Sequence, residues 1–323
     1  MQVVITGGAG LIGRRLAEAL LERGTLSDRS GRPAPIDRLT LVDVAAGAPI
    51  ADRRVVQVAG DLSDASVISR VIDAETTTVF HLAAVLSGGS EADFDLGLRI
   101  NFDASRAIFE RCRTLGRQPR VVFSSTVAVF GGDLPETVTD ATALTPQSSY
   151  GTAKAMVELL LNDYSRKGFF DGRALRLPTI VVRPGRPNSA LSSFASNIIR
   201  EPLNGETTVC PVGPDTGVWL LSPGTAVKCL IHACELPAAA FGATRSVNLP
   251  GLSVTVREML GALERLAGAE AVARVRFTID PKVTAVVETW PGRFDTRKAN
   301  ALGFPNDASV DAIIRQYRDE RGA

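Results

Sequence analysis

Met1-Gln2-Val3-Val4-Ile5-Thr6-Gly7-Gly8-Ala9-Gly10-Leu11-Ile12-Gly13 decides the fold. An apolar strand runs into a glycine turn, and an apolar-periodic segment then continues to about Arg23. Gly7 permits the tight turn, Gly10 lets backbone approach a pyrophosphate, and Gly13 lets the following helix pack closely on a sheet. Phosphates would rest on the helix N-terminus, on the amides around Leu11, Ile12 and Gly13. The stretch therefore predicts a dinucleotide cradle.

The next strand should end in an acidic residue, and Leu39-Thr40-Leu41-Val42-Asp43 supplies one. Asp43 is placed to accept hydrogen bonds from the adenosine ribose. A carboxylate there repels a 2'-phosphate, and Val44 brings no compensating cation, so the expected coenzyme is NAD rather than NADP. Asp43 lies unusually far from Gly13 because Thr25 to Asp37, rich in Arg, Pro, Gly and Ser, reads as an inserted, solvated surface loop.

Strand and helix signals alternate beyond that point. Strands are expected at 2–6, 39–43, 54–58, 77–82, 120–124 and about 173–177, with helices near 11–23, 64–73, 95–115 and 149–167. Val3 to Ile5, Leu39 to Val42 and Val121 to Phe123 are continuously apolar, as buried parallel strands are. The expected fold is α/β: a Rossmann-type parallel sheet flanked by helices, mainly residues 1–187, with a smaller C-terminal substrate-binding lobe, mainly 188–323. Amphipathic segments fall at 192–200, 226–235, 255–267 and 307–320, and segments near 215–235 and 244–249 should return to the main domain.

The 323 residues are 45% hydrophobic and 22% charged, enough for a large core. Lys and Arg number 36 against 35 Asp and Glu, which leaves no basic field for nucleic acid. With neither a basic leader nor a long apolar run, a cytoplasmic protein without membrane attachment is expected. Cys112, Cys210, Cys229 and Cys234 lack metal-ligand spacing and read as buried thiols, so no metal site is expected. Of the two histidines, His232 sits in an apolar run without an evident partner, and His81 is expected to support the cofactor loop.

Loops at the carboxyl ends of the strands should carry the chemistry. Asp61 could receive an adenine amino group and Leu62 cover its ring, although Asp61 also reads as an ordinary helix cap. Leu82-Ala83-Ala84 is small enough for backbone to run beside a cofactor, and Asn101, on the next helix, is counted with the cofactor-binding residues and should brace that strand, a solvent-facing Asn being the alternative. Ser125 and Thr126 end the fifth strand. Tyr150 and Lys154 follow a break at Pro146-Gln147-Ser148-Ser149, one helical turn apart, so that an ammonium lies near a phenol. A nearby positive charge favours the phenolate and makes it a usable base.

Together, Gly7, Gly10, Gly13, Asp43, Asp61-Leu62, Leu82-Ala83-Ala84, Asn101, Ser125-Thr126, Tyr150 and Lys154 resemble the extended short-chain dehydrogenase/reductase superfamily, which includes NAD-dependent sugar epimerases and dehydratases. The resemblance spans nearly the whole chain. It implies catalytic roles for Tyr150 and Lys154, a catalytic hydroxyl at Thr126, a substrate-contacting one at Ser125, and cofactor neighbours at Pro178 and Thr179. Thr126 stands where Ser is commoner, which leaves the assignment between the two hydroxyls open.

The stretch Val181-Val182-Arg183-Pro184-Gly185-Arg186-Pro187-Asn188 departs from the Asn-containing, Gly-Pro-ending stretch of sugar-nucleotide enzymes. Arg183, Arg186, Asn188 and Ser189 form either a donor set for a carboxylate or polyhydroxyl chain, or an ordinary surface turn. Glu201-Pro202-Leu203-Asn204-Gly205-Glu206, Asn248-Leu249-Pro250-Gly251 and Trp290-Pro291-Gly292-Arg293-Phe294-Asp295 extend the resemblance to a branch that oxidises a small sugar acid. The implied reaction takes a C2 secondary alcohol to the ketone as NAD becomes NADH. The resemblance also implies a homodimer through the 95–115 and 149–167 helices. A nucleotide-sugar epimerase or dehydratase is the enzymatic alternative, and a catalytically silent NAD-sensing protein the non-enzymatic one.

Overall fold

The computed structural model describes residues 1–185 and 190–320, with the backbone of 321 and 322. Seven parallel strands form the main sheet, in the spatial order Ser246–Asn248, Asp171–Leu177, Arg120–Thr126, Thr76–His81, Gln2–Thr6, Arg38–Asp43, Val55–Ala59. The order reverses between Gln2–Thr6 and Thr76–His81, which opens a crevice at the carboxyl ends of those strands.

Strand alternation divides the sheet's side chains between two cores. Val3, Ile5, Leu39, Leu41, Val122 and Leu175 pack against helices Leu11–Arg23 and Pro223–Glu235. Val4, Val42, Val79, Val121, Phe123 and Ala174 face helices Ala65–Val71, Ala104–Leu115 and Ser149–Arg166. Strands covered on both faces explain the unbroken apolar runs, and each buried aliphatic side chain contributes about 1.5–3 kcal/mol.

A third core belongs to the C-terminal part: Phe194, Ile198, Val218, Met259, Leu263, Ile313 and Ile314 join helices Ser193–Leu203, Val256–Ala267 and Val310–Gly322. Helix Val256–Ala267 starts at a capping box, in which Thr255 and Glu258 satisfy each other's backbone amides. Helix Pro223–Glu235 and strand Ser246–Asn248 return to the main sheet. Strand Gly217–Leu221 instead pairs with Thr179–Ile180 and Leu252–Thr255 in a separate three-stranded sheet. The expected boundary between 187 and 188 lies outside the described residues.

Three expectations need correction. The Thr25–Asp37 segment is no solvated loop: Thr25–Ser27 and Pro33–Pro35 pair as a hairpin, and Leu26 and Ile36 are buried in the main core. Arg120 fastens it by donating to the Ser27 carbonyl at 2.9 Å. The single 95–115 helix is broken into Phe94–Leu98, a π-helical turn at Arg99–Asp103, and Ala104–Leu115. His232 has a partner after all, since its Nε2 meets the Leu302 carbonyl at 2.7 Å and its ring stands edge-on to Phe304.

All four cysteines are buried free thiols. Among the described residues no helix is long and apolar enough to cross a membrane, and no group of three or more His, Cys, Asp or Glu is placed to hold a metal.

Candidate active site

One cavity of about 750 Å³ runs from the glycine turn to the C-terminal part. Its nucleotide end is lined by Gly7, Gly10, Leu11, Ile12, Gly13, Asp43, Asp61, Leu62, Leu82, Ala83 and Ala84. Gly7 adopts φ +72, and a Cβ on it would lie 2.8 Å from the Ala83 nitrogen. A Cβ on Gly13 would lie 2.1 Å from the Gly7 carbonyl oxygen, so this position admits only glycine. A Cβ on Gly10 would meet nothing nearer than the Gly7 oxygen at 3.3 Å and would begin to fill the cavity itself. Helix Leu11–Arg23 begins there without a side-chain cap or an acidic residue in its first turn, which leaves its amides open to an anion. The cradle fits a dinucleotide pyrophosphate.

Asp43 is held by the amides of Ala9 at 3.0 Å and Val44 at 2.8 Å. Arg14, the cation beside it in a small neighbouring pocket, escaped the sequence reading. Its guanidinium is turned away toward Glu18 and the Ala48 and Pro49 carbonyls.

Behind this wall lies a one-way hydrogen-bond chain. The Ser105 hydroxyl donates to the Asn101 carbonyl, so it accepts from His81 Nε2. His81 Nδ1 then accepts from Thr6 at 2.7 Å, and Thr6 accepts from the amides of Leu82 and Ala83. This polarity assigns His81 as the neutral Nε2–H tautomer. Burial, helped by the charge of Lys154, pushes its pKa down to about 3.

Asn101 is not on the cavity wall. Its amide accepts from the Val85 nitrogen at 2.8 Å and donates to the Val85 carbonyl and to Ser90, so it braces the loop that forms the wall. The π-helical turn carries it, and on the same turn Ile100 reaches the cavity.

At the other end the cavity collects Ser125, Thr126, Tyr150, Lys154, Pro178, Thr179 and Arg183. Helix Ser149–Arg166 starts where Ser148 accepts from the Gly151 amide at 3.0 Å. A Cβ on Gly151 would come within 2.2 Å of the Ala128 carbonyl, so glycine lets this helix settle on the turn after Thr126. Lys154 is buried, donates to the Ser124 carbonyl at 2.9 Å, and lies 5.7 Å from the centre of the Tyr150 ring. Burial lowers its pKa to about 7, opposed by the charge of Glu158.

Tyr150 differs from expectation. Burial pushes its phenol up to about 12, and the cation pulling it back is Arg183. Arg183 donates to Ser192 at 3.0 Å and to the Ile180 carbonyl, and its own pKa is lowered by burial. The other expected donors, Arg186, Asn188 and Ser189, lie outside the described residues.

The two hydroxyls are not equivalent. Ser125 donates to Glu158 at 2.5 Å, while Thr126 accepts from the Ala128 amide and keeps its own proton available. Val286, Thr289 and Trp290 close the cavity from the C-terminal part. Sequence reasoning missed them as cavity residues, and it also missed Glu158 and Arg176. A Glu one turn beyond Lys154 on the same helical face was the available signal.

The family profile described as the NAD dependent epimerase/dehydratase family matches residues 3–243. A D-erythronate dehydrogenase of Cupriavidus necator is 57% identical over 322 residues, covering 100% of this chain and 99% of that protein. One of Haemophilus influenzae is 47% identical, covering 98% of each. The crystal structure of a nucleoside-diphosphate-sugar epimerase from Agrobacterium tumefaciens superposes with a TM-score of 0.93 at 42% identity, covering 100% of this chain and 95% of that one. Glycine cradle, acidic strand end and Tyr-Lys helix thus occur together in an enzyme that belongs to the NAD-dependent epimerase/dehydratase family of the extended short-chain dehydrogenases and acts on CH–OH groups with NAD.

Proposed function

We propose that the chain oxidises the C2 hydroxyl of D-erythronate to 2-oxo-D-erythronate, with NAD reduced to NADH. The observation that carries this reading is the shared cavity: Tyr150, Lys154, Thr126 and Arg183 line the end opposite the glycine cradle and Asp43. The two end-to-end relatives named D-erythronate dehydrogenase support the choice of acid.

NAD supplies the hydride acceptor when bound, between the glycine cradle and Pro178-Thr179. Tyr150 takes the alcohol proton; the charge of Arg183 opposes the burial that raises its phenol, and the Lys154 ammonium stands 5.7 Å from the centre of its ring. Thr126 donates to the reacting oxygen, because the Ser125 proton is held by Glu158. Arg183 receives the substrate carboxylate. Lys154 also binds the nicotinamide ribose. Asp61 and Leu62 take the adenine, and Asp43, with Arg14 turned away, selects NAD over NADP.

The C-terminal part acts as the substrate-binding lobe through Val286, Thr289 and Trp290. Exposed Phe94 and Leu159, on neighbouring helices, support a homodimer face, and four buried free thiols suit the reducing cytoplasm.

The purified protein with NAD and D-erythronate should form one NADH per ketone, and L-threonate and nucleotide sugars should react more slowly. The likeness to a nucleoside-diphosphate-sugar epimerase favours a second reading. Interconversion of a nucleotide sugar without net NADH would establish it and reject the first. NAD binding without turnover of any of these compounds would favour a silent sensor.

A further inference from the structure

A buried charge cluster, Glu158 and Arg176, lies behind the reaction end: neither lines the cavity, but both contact residues that do, Glu158 meeting Ser125 and Arg176 lying over Phe130. Ser125 and Arg176 are register partners on adjacent strands, so their side chains share one face of the sheet. Helix Ser149–Arg166 covers that face and lowers Glu158 onto both. Glu158 is 2% exposed and Arg176 is 4% exposed. Arg176 Nη2 donates to Glu158 Oε2 at 2.8 Å, and its Nε approaches both carboxylate oxygens at 3.0 and 3.1 Å. The Ser125 hydroxyl donates to Oε1 at 2.5 Å. Arg176 also donates to Asn248 Oδ1 at 3.1 Å, and the Asn248 backbone N–H donates to Asp140 Oδ1.

A buried ion pair is costly and is a poor stabilising device compared with apolar packing. Here it sits one helical turn from Lys154 and holds the proton of a cavity hydroxyl. We infer that Glu158 and Arg176 are positioning residues for the reaction: Glu158 keeps the Ser125 proton out of the cavity and places a negative charge behind Lys154, while Arg176 fixes the carboxylate and ties it to Asn248.

The groups facing Lys154 make the charge argument specific. Tyr150 shares its helix, His81 comes from the Thr76–His81 strand and is neutral, Phe123 lies beneath the ammonium at 4.5 Å, and the Ser124 carbonyl accepts from it. The charge of Arg183 acts on Tyr150. Glu158 is the anion that favours the charged lysine, against the burial that opposes it. Removing that anion lowers the fraction of charged Lys154 at any pH above neutrality.

The inference rests on the proposed roles of Tyr150 and Lys154, so Tyr150→Phe is the control. Steady-state NADH formation is measured from pH 6 to 10, on whichever sugar acid the wild-type protein oxidises. Glu158→Gln should lower kcat about tenfold with little change in KM, and should move the alkaline limb of the profile about one unit toward lower pH. Because Glu158→Gln strands a buried guanidinium, the double variant Glu158→Gln/Arg176→Met is measured beside it; it should fold and keep both defects. Parent kcat and an unshifted profile in the folded double variant would overturn the inference, as would a loss of kcat without a shift in either variant. If Tyr150→Phe retains full turnover, the underlying catalytic reading fails instead.

Discussion

The two ends of the cavity are built differently. The nucleotide end is made largely of backbone: three glycines, a helix start and small residues after a strand, most of them within the first 84 residues. The reaction end is made of side chains drawn from segments as far apart as Thr126, Tyr150, Arg183 and Trp290. Backbone recognition tolerates little variation, since a Cβ at Gly13 would overlap the Gly7 carbonyl oxygen. Side-chain chemistry can be retuned one residue at a time, which suits a family whose members share a coenzyme and differ in substrate.

Tyr150→Phe is the strongest test of this division. It should lower kcat by about 10²- to 10⁴-fold and leave NAD affinity, measured by calorimetry, near that of the wild type. Parallel loss of NAD affinity would show that the two ends are not separable.

Within the reaction end, Thr126→Val should cost more than Ser125→Ala, about 10²-fold in kcat against a loss several times smaller. The reverse order would mean that Ser125, despite its bond to Glu158, is the donor.

Behind the nucleotide end, His81 links folding to pH. Its folded pKa of about 3 lies below the ordinary 6.5, so the unfolded chain binds more protons between those values. Its contribution to stability is complete above pH 6.5 and is lost as pH falls toward 3, by up to a few kcal/mol. Urea unfolding across that window should show a shallower pH dependence for His81→Gln. Equal slopes would remove His81 from the acid response.

The smallest effect belongs to Asp43. Asp43→Asn should raise use of NADP relative to NAD by about tenfold, through loss of repulsion toward a 2'-phosphate. An unchanged ratio of kcat/KM values would assign coenzyme choice elsewhere, with Arg14 the first residue to test.

The sheet and its helices were legible because their signals are local and periodic: strands 2–6 and helix 11–23 fell at the expected residues. The hairpin at Thr25–Asp37 was not, because proline and glycine suggested a loop while the burial of Leu26 depends in part on helix Pro223–Glu235, far along the chain. The break in helix 95–115 was hidden for a related reason. Asn101 bonds across to Val85, and no periodicity within the helix reports that contact.

By itself the sequence determined the parallel sheet, the cradle and the pairing of Tyr150 with Lys154, since glycine freedom, apolar alternation and helical spacing act over a few residues. Where the protons and charges stand is set by packing between distant segments. That packing gave the Ser125 proton to Glu158, set Arg183 against Tyr150, and moved Asn101 behind the wall. Hydrogen-bond partners and burial depend on which distant segments meet, and strand order and packing fix those meetings.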